Sequence, residues 1–93
     1  MMARARVIFK GRVQGVFFRN NVQEKAARAG ICGWVKNLPN GTVDGLFEGD
    51  EDKVRQILTE IKNGEHMGDC RVDDMDVRWV LFTPEYHDFC VLR

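Results

Sequence analysis

Apolar and polar positions alternate from the start of the chain. Ala5, Val7 and Phe9 stand against Arg4, Arg6 and Lys10, with Ile8 the one exception. Successive side chains of a strand point to opposite faces, so residues 3–10 read as a strand with one wet face. The period then lengthens. After a glycine-bearing turn, Val22, Ala26 and Ala29 fall at helical spacing, and Gly30 is placed to stop that helix. Residues 31–37 are β-rich around Trp34 and Val35. Leu38-Pro39-Asn40-Gly41 is a turn whose Asn-Gly pair signals a hairpin. Residues 42–48 set Val43, Gly45 and Phe47 against Thr42, Asp44 and Glu48, a second antiparallel strand with a wet face.

Asp50-Glu51-Asp52 supplies an N-cap and first-turn acids for a second helix. Val54, Ile57, Leu58 and Ile61 follow at i, i+3, i+4 and i+7, the strongest helical stripe in the chain. Burying that stripe contributes on the order of 6 kcal/mol before entropy, at ~1.5 kcal/mol per side chain, which makes the helix scaffold. Asn63-Gly64 ends it. Met75, Val77 and Trp79 then alternate with Asp74, Asp76 and Arg78 over 72–81, and residues 89–92 form a short last strand. The order β-α-β-β-α-β-β predicts an α+β split βαβ sandwich, an antiparallel sheet with both helices on one face. No repeat or linker interrupts it, so residues 1–93 are expected to be a single domain.

Composition narrows the class. The 93 residues are 44% hydrophobic and 30% charged, as in ordinary soluble globular proteins. No apolar run approaches the ~20 residues of a spanning helix, and the N-terminus lacks an apolar leader pattern. The expectation is therefore a cytoplasmic protein with no membrane association. Net charge is zero, yet Arg4, Arg6, Lys10, Arg12 and Arg19 fall in the first nineteen residues with no acid among them. The remainder carries fourteen acids against nine Lys and Arg. A basic end on an acidic molecule suits a small anion better than nucleic acid, which the rest of the surface repels. Cys32, Cys70 and Cys90 form no C-x-x-C pair, which points to thiols in a reducing compartment, most simply as small buried hydrophobes.

The chemistry concentrates in Gly11 to Arg19, GRVQGVFFR, and in Asn37 at the end of GWVKN. A turn between strand and helix leaves the first helical amides unpaired, and phosphate or carboxylate satisfies such donors. Arg19 stands beside the positive end of the helix dipole, an unfavourable position unless an anion lies between. The residues alone also allow a solvated surface arginine, a turn glycine at Gly15 and a strand-ending asparagine. No Lys and Ser/Thr follow Gly15, so the loop is not a Walker A loop. Alternation sends Asp74 and Asp76 to one face and Asp73 to the other, as solvated charge rather than a metal site. His66 and His87 fall near no nucleophile, and Trp34 and Trp79 read as packing groups.

G-x-V-Q-G-V-x-F-R, followed by Ala26, Gly30, Gly33-Trp34-Val35-Lys36-Asn37, Gly41-Thr42-Val43 and Gly49, resembles acylphosphatase in order and spacing. The likeness runs from about Gly11 to Gly49 and continues weakly to Phe89-Cys90-Val91. It implies a ferredoxin-like fold with a short extra C-terminal strand, and hydrolysis of acyl phosphates. It further implies that the loop matching Gln14, Gly15, Val16, Phe17 and Phe18 wraps phosphate with backbone amides. In the same way Arg19 is implied to bind phosphate oxygens and Asn37 to orient the attacking water.

The side-chain chemistry agrees with those roles. A guanidinium is permanently charged and forked, and an amide positions water without titrating. A carboxylate leaves readily, so no strong acid is required. The expectation is therefore metal-independent catalysis with no cofactor, a small-molecule acyl phosphate substrate, no nucleic-acid partner and a monomer. Asn20-Asn21 depart from the bulky pair common in relatives, which bears on substrate preference, and Asn40 replaces a common Asp. Two rivals share the topology: a non-catalytic phosphate-binding domain, and an RNA-binding domain. The second needs exposed aromatics on the central strands, and none is expected on the wet faces.

Overall fold

Seven elements follow one another in the predicted order in the computed structural model, which describes residues 1–15, 17–65 and 67–92. They are β1 (Met2–Arg12), α1 (Phe18–Arg28), β2 (Cys32–Asn37), β3 (Val43–Asp50), α2 (Glu51–Lys62), β4 (Arg71–Val80) and β5 (Phe89–Leu92). The sheet order is β4-β1-β3-β2-β5. α1 packs on β2 and β5, and α2 on β1, β3 and β4. Lys25 Nζ lies 3.3 Å from Glu60 Oε1 and joins the two helices.

The expected core is present. Ala5, Val7 and Phe9 are fully buried and face the helices together with Val35, Val43 and Phe47. Phe9 meets Phe18 and Phe47 edge to face at 5.2 and 6.1 Å, and Phe47 continues to Phe89 at 5.3 Å. The stripe of α2 is buried at Val54, Ile57, Leu58 and Ile61. Asp50 caps α2 by accepting from the Asp52 amide at 3.1 Å, and Asn63 and Gly64 end it. Gly30, at φ 71°, follows the end of α1 as C′ residue.

The structure corrects four expectations. The sheet is mixed, because β5 pairs in parallel with β2 while every other pairing is antiparallel. β4 and β5 are opposite edges, so residues 81–88 carry the chain across the sheet before β5 runs upward. That strap is held from the helix-free face. Arg4 Nη1 donates to Glu85 Oε1 at 3.1 Å, and Trp34 Nε1 to the Tyr86 hydroxyl at 3.2 Å.

The second correction concerns the wet face of β3. Asp44 and Glu48 are only 4% exposed. Arg6 Nε donates to Asp44 Oδ1 at 2.8 Å, and this bond raises the Arg6 pKa. Arg4 Nε lies 3.4 Å from Glu48 Oε2, close enough for attraction but not aligned as a hydrogen bond. Two of the five basic residues of the N-terminal segment are therefore matched by acids along the sheet and do not gather at one end.

The third correction concerns the tryptophans, read as core and sheet packing groups: both pack against neighbouring side chains, but neither lies in the core. Trp34 lies on the helix-free face under the cations of Arg6 and Lys36, at 5.1 and 5.7 Å. Trp79, 39% exposed, sits under Arg55 at 4.5 Å. An aromatic thus does stand on the helix-free face, on β2 rather than on the central β1 and β3. Last, of the cysteines only Cys70 is buried, and none is in a disulfide.

Candidate active site

The segment between β1 and α1 is anchored at both ends. Val13 and Phe18 are buried in the core, and Phe18 packs on Phe9. Between them Gln14 acts as a clip: its Nε2 donates to the carbonyls of Leu38 and Thr42 at 2.9 and 2.7 Å. Those carbonyls flank the turn from β2 to β3, so the loop is tied to the end of the strand that carries Asn37. β1 extends to Arg12, and Gly11 sits in a bulge against β4 rather than in the turn. A side chain there would overlap the Arg71 carbonyl.

Backbone conformation shapes the loop tip. Gly15 has φ 73°, and Phe17 has φ 59°, a left-handed conformation that costs an aromatic residue. The Phe17 ring is 77% exposed, so burial does not offset that cost. α1 begins at Phe18 with no side-chain cap and no acid in its first turn. Its first backbone bond runs from the Asn21 amide to the Phe17 carbonyl at 3.0 Å. Among the described residues nothing accepts from the amides of Phe18, Arg19 and Asn20. A helix start of this kind presents partial positive charge and free donors.

Arg19 and Asn37 line one pocket of about 330 Å³, together with Val13, Gln14, Gly15, Phe17, Phe18 and Asn20. Arg19 is half-buried, and its Nη1 donates to the Leu92 carbonyl at the end of β5, 2.9 Å away. One N–H of five is thereby used and the fork is steadied. Asn37, last residue of β2, shares the helix-facing side of the sheet with Val35. Its Oδ1 is buried and has no hydrogen-bond partner among the described residues. An orphaned buried acceptor costs about 1–3 kcal/mol, so the site favours a donor there.

Of the predicted site residues, Gln14, Gly15, Phe17, Phe18, Arg19 and Asn37 thus meet around one pocket. Val16 lies outside the described residues, as does His66. Two lining residues were missed. Val13 carried no signal beyond its apolar character, and Asn20 was noted only as a departure. Asp73 and Asp74 are exposed and engaged locally, by Arg71 at 2.8 Å and by the Met75 amide at 2.9 Å.

Fold and pocket together define a small ferredoxin-like α+β protein with an arginine-lined pocket at an uncapped helix start where β1 meets α1. Comparison with known proteins narrows the class. The acylphosphatase family model matches residues 5–91. The chain is 46% identical over 89 residues to an acylphosphatase of Geotalea uraniireducens, covering 96% of each. The crystal structure of acylphosphatase from Bacillus subtilis superposes with a TM-score of 0.90 at 35% identity over all of both chains. An acylphosphatase from Coxiella burnetii gives 0.88 at 31% identity, over 98% of this chain and 93% of its own. The chain belongs to the acylphosphatase family, a family of hydrolases.

Proposed function

We propose that this protein hydrolyses acyl phosphates, with phosphate held by Arg19 and the backbone amides of the loop from Gln14 to Phe18, and water oriented by Asn37. The observation that carries this reading is the unpartnered Oδ1 of Asn37 in the pocket that Arg19 lines. A water donating to that oxygen stands beside a phosphorus atom held by the guanidinium and the helix-start amides. It attacks phosphorus. The new P–O bond forms as the bond to the acyl oxygen breaks, and the electron pair leaves with the carboxylate. A proton of the water ends on the phosphate, so one acyl phosphate and one water give carboxylate and dihydrogen phosphate.

Charge builds on the phosphoryl oxygens during transfer, and preorganised donors stabilise it. Arg19 and the amides supply that stabilisation, and the good leaving group removes the need for a general acid. The reaction is accordingly proposed to run without metal or cofactor. Among the described residues no helix is long and apolar enough to cross a membrane. A monomer acting in the cytoplasm on a small-molecule substrate is the arrangement we propose.

The test is phosphate release from benzoyl phosphate by purified protein, with and without a chelator, and by the Arg19→Ala and Asn37→Ala variants. We expect turnover insensitive to chelation, falling roughly 10²-fold or more in each variant, as for loss of a preorganised contact. No turnover above a heat-killed control, with phosphate still bound, favours the rival reading of a phosphate-binding domain without catalysis.

A further inference from the structure

A second pocket, of about 620 Å³, adjoins the first and shares Gly15, Phe17 and Asn20 with it. A mixed anhydride joins its phosphate to its acyl group through a single oxygen. With phosphate in the first pocket, the acyl carbon stands two bonds from phosphorus, so an acyl group directed over the shared rim enters the second pocket. Among the described residues, two charged ones line the second pocket, Arg12 at the end of β1 and Asp69 just before β4. Both are exposed, and neither side chain makes an ion pair or hydrogen bond with any described residue. Arg71, paired with Arg12 across the strands, is already engaged by Asp73 at 2.8 Å.

The wall that carries Asp69 is held in place. Asn21 Nδ2 donates to the Met67 carbonyl at 3.1 Å, Met67 is buried, and the Cys70 amide returns to the same carbonyl at 3.3 Å. Asn20 and Asn21, the pair that departs from the family pattern, therefore form the rim and the clamp of this pocket.

We infer that the second pocket receives the acyl group, and that Arg12 and Asp69 select one carrying both a carboxylate and an ammonium, as in the ω-acyl phosphate of an α-amino diacid. The inference rests on the acyl phosphate reading. Opposite charges that line one pocket, neither paired with a described residue, favour a ligand of both signs. An acyl group with one charge gains from one wall and is repelled by the other, and a neutral one gains from neither.

Four substrates separate the possibilities: β-aspartyl phosphate, succinyl phosphate without the ammonium, β-alanyl phosphate without the carboxylate, and benzoyl phosphate as reference. The readout is kcat/KM relative to benzoyl phosphate, for wild type and for Arg12→Gln and Asp69→Asn. We expect wild type to favour β-aspartyl phosphate over both singly charged analogues by about 5-fold, the scale of one exposed charge contact. Arg12→Gln lowers the succinyl ratio and raises the β-alanyl ratio, and Asp69→Asn does the reverse. A purely structural role moves both ratios in the same direction, and that result overturns the inference. So does a wild type with no preference among the charged substrates. If one variant fails to fold, the sign change in the other still decides. Failure to hydrolyse any of the four, benzoyl phosphate included, defeats the acyl phosphate reading itself.

Discussion

Gln14 joins the anion loop to the strand end that bears Asn37, so replacing it tests whether the two halves of the site depend on that clip. Its Nε2 makes two hydrogen bonds, at 2.9 and 2.7 Å, to the carbonyls of Leu38 and Thr42. Each carbonyl keeps a second partner: Leu38 accepts from the Gly41 amide at 3.2 Å, and Thr42 from the Leu38 amide at 2.9 Å. Removing the donor strands neither oxygen. The cost of Gln14→Leu is then the net value of two bonds, about 1–2 kcal/mol. Gln14→Glu differs in kind, because it turns a carboxylate toward two carbonyl oxygens. We expect it to cost about 3 kcal/mol or to push the loop outward. Urea unfolding reads the stability, and hydrolysis of benzoyl phosphate reads the loop. Displacement of the loop by a fraction of an ångström is expected to lower kcat by roughly 10-fold, given ~10²-fold for a misplacement of 1 Å. A Gln14→Glu protein as stable and as active as wild type refutes the clip.

Three further perturbations probe the frame. Gly33 has φ 137°, and a Cβ there would overlap the Leu46 carbonyl, so Gly33→Ala should cost on the order of 3 kcal/mol in urea unfolding. Asp44→Asn should destabilise by about 1–2 kcal/mol, because the Arg6 fork loses a charged acceptor, and added salt should screen little of that loss. For Asp50, desolvation raises the pKa, but the terminal ammonium and the Asp52 and Lys53 amides outweigh it and leave the pKa below 3.8. A lowered carboxylate pKa stabilises the fold above the ordinary value and loses that stabilisation as pH falls through the folded one. The Tm advantage of wild type over Asp50→Asn should therefore be full at pH 6 and shrink as the protein is acidified below the ordinary carboxylate range.

The parts of the fold legible in the sequence are those set by local periodicity. The alternation of Ala5, Val7 and Phe9 and the stripe of α2 each name a face, and the structure buries both. Periodicity does not say what covers the other face. Asp44 and Glu48 alternate as solvent-facing residues do, yet β3 is central and its second face lies under Arg6, Arg4 and the 81–88 strap. The strap has no period of its own, so neither its path nor the parallel direction of β5 could be read. At the site, Gly15 was legible as a turn glycine. Phe17 was not legible as a left-handed residue, since aromatics rarely adopt that conformation. Arg19 and Asn37 are far apart in sequence, and only the family resemblance brought them together before the structure did.

The two ends of the sheet treat polar groups differently, and the difference bears on how the site keeps its shape. At the strap end buried charge is countered by charge, with Glu48 beside Arg4 and accepting from the Glu85 amide, although Arg4 Nε and Glu48 Oε2 make no aligned hydrogen bond. At the loop end an asparagine oxygen, three helix-start amides and the side chains of Arg12 and Asp69 have no partner among the described residues. Left to themselves, unpaired groups draw a loop into whatever conformation satisfies them. Here the loop is denied that freedom by Val13 and Phe18 in the core, by the Gln14 clip and by the bond from Arg19 to Leu92. None of these anchors uses the Asn37 oxygen or the helix-start amides. The rigidity of the site thus comes from groups other than those left open to substrate, which lets it stay preorganised while its polar groups remain unsatisfied.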